Sequence, residues 1–296
     1  MKAHFAGFGF ASIFGVSFIF SKLALSLLTP FGLLSLRFII AFAVMHALVS
    51  LKIIKVSIKP SMFRFALPVV IAQPILYFTF ENIGLSMVPS SLAGIMIALI
   101  PLVTLFMSAY RFRQRLNLKQ FLWMLLSLSG VIALTLLNTT DDASISSLLG
   151  IVLMIGAVIS ASVFNISSRE ASYHMSALSL TYMMMGVGAL GFSLLHGFEV
   201  MTQSQSWHIA LWIQNPELTY PLLYLGVVAS IGGFFLVNYA LSQLTSATAS
   251  VYANLATVVS IIVGVVLLNE PFGVWHILSA VAVILGVRGS VLSVKG

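Results

Sequence analysis

Three charged side chains interrupt runs that are otherwise apolar: Lys22, Arg37 and Glu81. A charge carried to the centre of a bilayer costs about 2.5–3.5 kcal/mol on insertion scales, so such groups face a protein interior and find partners. Counted at ~1.5 Å per residue, all three lie roughly 7–10 Å below the same, outer, end of their segments. The expectation is that Glu81 pairs with Arg37 or Lys22 at the outer end of a cavity. The surplus positive charge there suits an anionic group such as a carboxylate. Glu81 is also a candidate proton carrier, which makes protons a candidate coupling ion. The structural alternative is an ion pair, with Lys22 reaching to the headgroups.

A second set of polar groups is neutral. Asn165, Asn238, Tyr239, Tyr252 and Asn254 sit within apolar runs, and Tyr77 lies in the third. An Asn inside a span either bonds a neighbouring helix or lines a polar path. Both readings stay open for each. The tyrosines could supply walls and hydroxyls.

These residues need elements to hold them. Of the 296 residues, 60% are hydrophobic and 7% charged, against about 25% charged in a soluble domain, so the chain cannot cover a water-facing surface. A span takes about 20 residues, and the apolar runs thread as ten: 4–26, 31–51, 65–86, 90–110, 120–138, 148–167, 177–198, 220–242, 246–268 and 273–292. Twelve of the 14 Lys and Arg residues then fall on one side, chiefly in the Lys52 to Arg64 and Arg111 to Lys119 loops. Positive charge in short loops marks the cytoplasmic face, which places both termini inside. The segment 199–218, with Trp207 and Trp212, reads as an outer loop with a short interfacial helix. The polar break at Gln243 to Ser246 separates the eighth and ninth spans.

The chain also repeats. Residues 82–131 align without a gap with 238–287: Asn82 meets Asn238, Ser90 meets Ser246 and Gly130-Val131 meets Gly286-Val287. A shift of five spans is odd, so the two halves enter the membrane in opposite directions. Inverted repeats are a common construction of secondary transporters, with the substrate site near the midplane between the halves. The fold class read from sequence is therefore an all-α membrane protein of ten transmembrane helices in two inverted five-helix repeats, 1–140 and 146–296.

Several chemistries are excluded. With no Cys there is no thiol catalysis or Cys-based metal site, and the six His residues stand singly without ligand spacing. The match of Gly186, Gly188 and Gly191 to a dinucleotide motif lies inside a span with no preceding strand, so it is a false positive. No P-loop pattern occurs. The basic residues sit at helix ends facing lipid headgroups, not nucleic acid. No enzyme, metal or cofactor is expected. Pro68, Pro74 and Pro101 fall inside spans and can kink them. Ala3, Gly7, Ala11 and Gly15 recur every four residues in the first span, and Ala282, Gly286 and Ser290 do so in the last; small residues at this spacing let helices approach closely. Whether the last helix packs within the monomer or across a homodimer is left open.

Residues 15–22 read Gly-Val-Ser-Phe-Ile-Phe-Ser-Lys, and the second span opens at Pro30 and reaches Leu36-Arg37-Phe38. Phe80-Glu81-Asn82, Ser90 to Ala93, Pro101-Leu102, Ser246 to Ala249, Asn269-Glu270-Pro271 and Gly286-Val287 follow. Together these resemble the EamA branch of the drug/metabolite transporter superfamily over essentially the whole chain. The family's Gly-Glu pair after the fourth helix is replaced here by Arg113-Gln114. The resemblance implies a bundle with a central cavity, alternating access, and export of small metabolites, amino acids or toxic compounds without ATP from a bacterial inner membrane. A non-transporting sensor or assembly partner is the alternative.

Overall fold

The computed structural model describes residues 1–85, 87, 96–113, 117–137, 148–203, 208–268 and 273–293. Every regular element among them is helical. The helices are α1 Lys2–Leu25, α2 Pro30–Ser50, α3 Phe63–Val70, α4 Tyr77–Leu85, α5 Ile100–Arg111, α6 Leu118–Leu137 and α7 Leu148–Ala171. They continue as α8 Ala177–Gln203, α9 His208–Gln214, α10 Thr219–Leu223, α11 Phe234–Gln243, α12 Ser246–Val251, α13 Ala253–Leu268 and α14 Val274–Leu292. Seven segments are long and apolar enough to cross a membrane: Lys2–Leu25, Pro30–Ser50, Pro60–Gly84, Leu148–Ala171, Ala177–Thr202, Pro216–Gln243 and Val274–Leu292. The chain is a multi-pass membrane protein. Of the other expected spans, the fourth corresponds to α5, the fifth to α6 and the ninth to α12 with α13. The loops at Asn138 to Ser147 and Asn269 to Pro271, and the Ser90 to Ala93 motif, lie outside the described residues.

Local chemistry sets several boundaries. Thr29 caps α2, its hydroxyl accepting from the Gly32 amide at 3.2 Å, with Pro30 at the first helical position. Thr245 caps α12 in the same way, accepting from the Thr248 amide at 3.1 Å. The polar break before Ser246 is therefore a capped turn. α8 runs to Gln203, five residues beyond the sequence reading, and α9 forms the short helix expected near Trp212.

Two spans depart from plain helix. The third is π-helical at Ile71–Leu76, between α3 and α4, and Gln73 leaves helical geometry altogether (φ −150°, ψ 124°). Pro68 and Pro74 account for this, since each lacks an amide and its ring crowds the preceding turn. The eighth span was expected as one continuous helix. It is π-helical at Tyr224–Gly233, between α10 and α11, beginning three residues after Pro221 as the first π-turn begins three after Pro68. Gly226, Gly232 and Gly233 permit the wider turn, and the Ser230 hydroxyl donates to the Leu225 carbonyl, five residues back, at 2.8 Å.

The bundle closes by helix pairing. α14 packs on α6, α2 on α8, α1 on α13 and the eighth span, and α7 on the third span and α5. The small-residue stripes lie at these seams. A Cβ at Gly7 would meet the Tyr252 ring at 2.7 Å, and one at Gly286 would meet the Ser127 amide nitrogen at 2.5 Å. The last helix thus packs within its own chain. On α7, Val152, Ile155 and Ile159 form an exposed apolar stripe at helical spacing, as a lipid-facing surface requires.

Candidate functional site

Arg37 comes from the middle of α2 and is 7% exposed. Its Nε donates to Ser230 Oγ at 2.7 Å, so the partner is a hydroxyl on the π-helical turn of the eighth span. The guanidinium carbon stands 5.3 Å from the centroid of the Phe78 ring and 5.7 Å from that of Phe38. Across this aromatic floor, Tyr77 donates from its hydroxyl to Glu81 Oε1 at 2.7 Å. Tyr77 opens α4 immediately after the first π-helical turn, and Glu81 follows one turn later on the same face. Arg37, Tyr77 and Glu81 act on one another electrostatically.

The expected ion pair takes a different form. Arg37 and Glu81 make no direct contact: among the described residues the ion pairs are Arg111 with Glu170 at 2.8 Å and His196 with Glu199 at 3.2 Å. Each site charge is held by a hydroxyl instead, Ser230 for Arg37 and Tyr77 for Glu81. Lys22 belongs to α1, and its side chain lies outside the description.

An aromatic layer follows. Phe38 stacks on Phe192 with centroids 5.5 Å apart. Phe78 meets Phe38 at 5.9 Å and Phe234 at 6.3 Å, and Phe234 meets Phe164 at 6.4 Å and Phe14 at 5.7 Å. Rings from α1, α2, α4, α7, α8 and α11 thus join at one level. Phe38 and Phe192 are wholly buried and Phe234 is 1% exposed.

Past this layer lies a neutral polar one. Asn238, one turn beyond Phe234, is 1% exposed. Its Oδ1 accepts from Ser168 Oγ at 2.7 Å and its Nδ2 donates to Thr181 Oγ1 at 2.9 Å, joining α11 to α7 and α8. Asn165 donates to Thr104 Oγ1 at 3.3 Å, joining α7 to α5. Asn254 donates to Ser127 Oγ at 3.0 Å, joining α13 to α6. Each of the three binds helix to helix. Tyr252 packs on α1, its hydroxyl 2.7 Å from His4 Nδ1. Tyr239 stacks on Phe235 at 6.3 Å and lines a surface groove of about 400 Å³ with Lys2 and Phe5. The structure therefore gathers Arg37, Tyr77 and Glu81 at one place, sets Asn165 and Asn238 in the polar layer, and directs Tyr239 and Tyr252 toward α1.

Sequence reading missed Ser230, the one serine between Tyr220 and Leu241, and the whole phenylalanine layer, which looks like ordinary core. It also missed two clasps between α2 and α8. At one end Thr29 donates to Glu199 Oε2 at 2.7 Å, and His196 Nδ1 lies 3.2 Å from the same oxygen. At the other, His46 Nδ1 is 2.8 Å from the Tyr182 hydroxyl. The i,i+3 spacing of His196 and Glu199 was the available signal for the first. Among the described residues no group of three or more His, Asp or Glu side chains could hold a metal.

Comparison with known proteins gives a consistent picture. The EamA-like transporter family matches twice, over residues 1–136 and 148–292. A protein of Bacillus subtilis strain 168 named uncharacterized transporter YcxC is 31% identical over 296 residues, covering 99% of this chain and 94% of its own. An uncharacterized transporter of Archaeoglobus fulgidus is 24% identical over 277 residues, covering 93% and 94%. A solved crystal structure, 18% identical, superposes with a TM-score of 0.78 over 98% of this chain and 96% of that one, which is a likeness of fold.

Proposed function

Because the chain belongs to the EamA-like transporter family, we propose that it is a secondary exporter of small metabolites whose substrate site lies at Arg37, Tyr77, Glu81 and Ser230. One observation carries this reading: charged groups from α2 and α4 and a hydroxyl of the eighth span converge where two spans change from α- to π-helix. π-Turns concentrate at functional sites because they leave backbone groups unpaired and re-aim side chains. Interrupted helices in corresponding positions of two halves are the expected surroundings of a midplane site. The third and eighth spans are five apart, as inverted five-helix repeats require.

The pairing of helices supports the same two-fold plan. Adding five to each span exchanges the first-with-ninth pair for the sixth-with-fourth, and the third-with-sixth pair for the eighth-with-first. The second with the seventh and the fifth with the tenth map onto themselves. Ten spans then place both termini on the cytoplasmic face of a bacterial inner membrane, with the Arg37 layer toward the outside and the Asn238 layer toward the inside. The phenylalanine layer between them is the closed barrier. Rocking of the halves would part these rings on one side at a time, without ATP, and Glu81 is the residue placed to carry a coupling proton.

Efflux from reconstituted vesicles tests this. Vesicles are loaded with a defined mixture of amino acids, organic acids and small amines, and release is read by mass spectrometry. The wild-type protein should release at least one component faster than empty vesicles, and Arg37→Ala should not. Equal release by both proteins would refute the site; no release beyond that of empty vesicles would refute the transport reading for these classes.

A further inference from the structure

Away from the charged centre, a groove of about 400 Å³ opens on the outer surface of the bundle between α1 and α11. It is lined by Lys2, Phe5 and Ala6 of α1 and by Phe235, Leu236 and Tyr239 of α11. Within each set the residues stand three and four positions from Lys2 or Tyr239, so each set shares one helix face. A Cβ at Gly9 would meet Leu236 Cδ1 at 2.9 Å, and one at Gly233 would meet Phe14 Cε1 at 2.6 Å. The two segments therefore run antiparallel, which brings Lys2 and Tyr239 to the same end of the groove. The other end is apolar, with Phe5 69% exposed and Phe235 and Leu236 half-buried. Lys2 is exposed and takes part in neither ion pair found among the described residues. The Tyr239 ring is steadied by its stacking on Phe235, with 26° between the planes. Its hydroxyl makes no hydrogen bond among the described residues, and no carboxylate lines the groove.

We propose that this groove binds one anionic phospholipid from the leaflet at that end of the bundle. The proposal stands apart from the transport reading and needs only the multi-pass chain. The lipid phosphate would sit between the Lys2 ammonium and the Tyr239 hydroxyl, a charge-assisted contact beside a neutral one. One acyl chain would follow Phe5 and Leu236 toward the bilayer interior. The residue types suit these depths. A Lys stem lies along apolar surface while its ammonium stays in the polar zone, and a Tyr ring favours the headgroup level. Basic pockets between spans recognise anionic headgroups in this way. A zwitterionic lipid carries its own cation beside the phosphate, which competes with Lys2; a lipid of net negative charge has no such competitor. The bound lipid would tie α1 to the eighth span one residue beyond Asn238, at the edge of the neutral polar layer.

The test titrates the full-length protein in detergent micelles with dioleoyl phosphatidylglycerol and with dioleoyl phosphatidylcholine. Native mass spectrometry reads the first lipid bound. Wild type should hold the anionic lipid about fivefold tighter, near what one Lys is worth beside an anionic surface. Lys2→Gln should bring the two lipids to within about twofold of each other. Tyr239→Phe keeps the ring but removes the hydroxyl, and should weaken the anionic lipid roughly threefold. Lys119→Gln, which removes an exposed charge from α6, should leave the preference as in wild type. Phosphatidylglycerol should also raise the melting temperature of wild type more than that of Lys2→Gln, since a ligand of the folded state stabilises it. Glycerophosphoglycerol, the same headgroup without chains, should not displace the lipid at equal concentration. Equal binding of both lipids by wild type, or an unchanged preference in Lys2→Gln, would overturn the proposal. An equal fall in Lys119→Gln would reveal diffuse attraction instead of a site. Displacement by the chain-free headgroup would refute the lipid as occupant. Should Lys2→Gln fail to fold, Tyr239→Phe decides alone: an undiminished affinity there refutes the site.

Discussion

Asn238→Ala should destabilise the protein without impairing transport by the molecules that remain folded. The side chain is 1% exposed and ties three helices together through Ser168 and Thr181. Interhelical hydrogen bonds inside a bilayer average about 0.6 kcal/mol, with a maximum near 1.7. Two such bonds give ~1.2 kcal/mol. The groups left behind soften the loss. Thr181 keeps its own bond to the Ala177 carbonyl at 2.9 Å, and Ser168 can turn its hydroxyl to a carbonyl of its own helix. The vacated volume adds about 0.5 kcal/mol on a scale of ~24 cal/mol per Å³ of cavity. The total is about 1.7 kcal/mol, roughly a fifteenfold change in the folding equilibrium at ~1.4 kcal/mol per decade. Reversible unfolding in mixed micelles measures it. A cycle with Ser168→Ala should return a coupling of about 0.5–1.7 kcal/mol. Stability within ~0.3 kcal/mol of wild type, combined with a fall in flux per folded molecule, would show that Asn238 lines the substrate path and would refute its role as a fastener.

Two further outcomes follow from packing and exposure. Gly286→Leu must drive α14 off α6, because a Cβ there would meet Ser127 backbone atoms at 2.5 and 2.7 Å. Backbone cannot turn aside as a side chain can, so a loss of about 1–3 kcal/mol is expected in thermal unfolding, and an unchanged melting temperature would refute the seam. Glu170→Gln breaks the 2.8 Å pair with Arg111, but those side chains are 34% and 62% exposed. The expected change is below ~1 kcal/mol and smaller still in high salt, and a larger, salt-independent loss measured by the same unfolding would contradict that assignment.

The pairing of α14 with α6 also shows how sequence and structure divide the information. The stripe of Ala282, Gly286 and Ser290 is visible as spacing, since small residues four apart share a helix face. Its partner, Ser127, lies more than 150 residues away and is decided by how the helices dock. Arg37 follows the same rule. An arginine inside an apolar run must be buried and held, and that much depends only on the cost of charge in lipid. Which group holds it depends on the rotation of α2 against the eighth span, and the answer is a serine 193 positions away.

Composition, hydropathy and the pull of basic loops toward one face are properties of residues in order along the chain. They were sufficient for an all-helical membrane protein, the opening of its second span at Pro30, and the three anomalous charges. The π-turn of the third span was half legible, because proline acts locally. That of the eighth was not expected, although Pro221 stands three residues before it, and the turn widens where Ser230 meets both Arg37 and its own backbone. The phenylalanine layer was illegible for a related reason. Rings from six helices look like six separate core residues until tertiary packing brings them to one level. The contact between distant surfaces, set by close packing over the whole bundle, decided which polar groups fasten which helices.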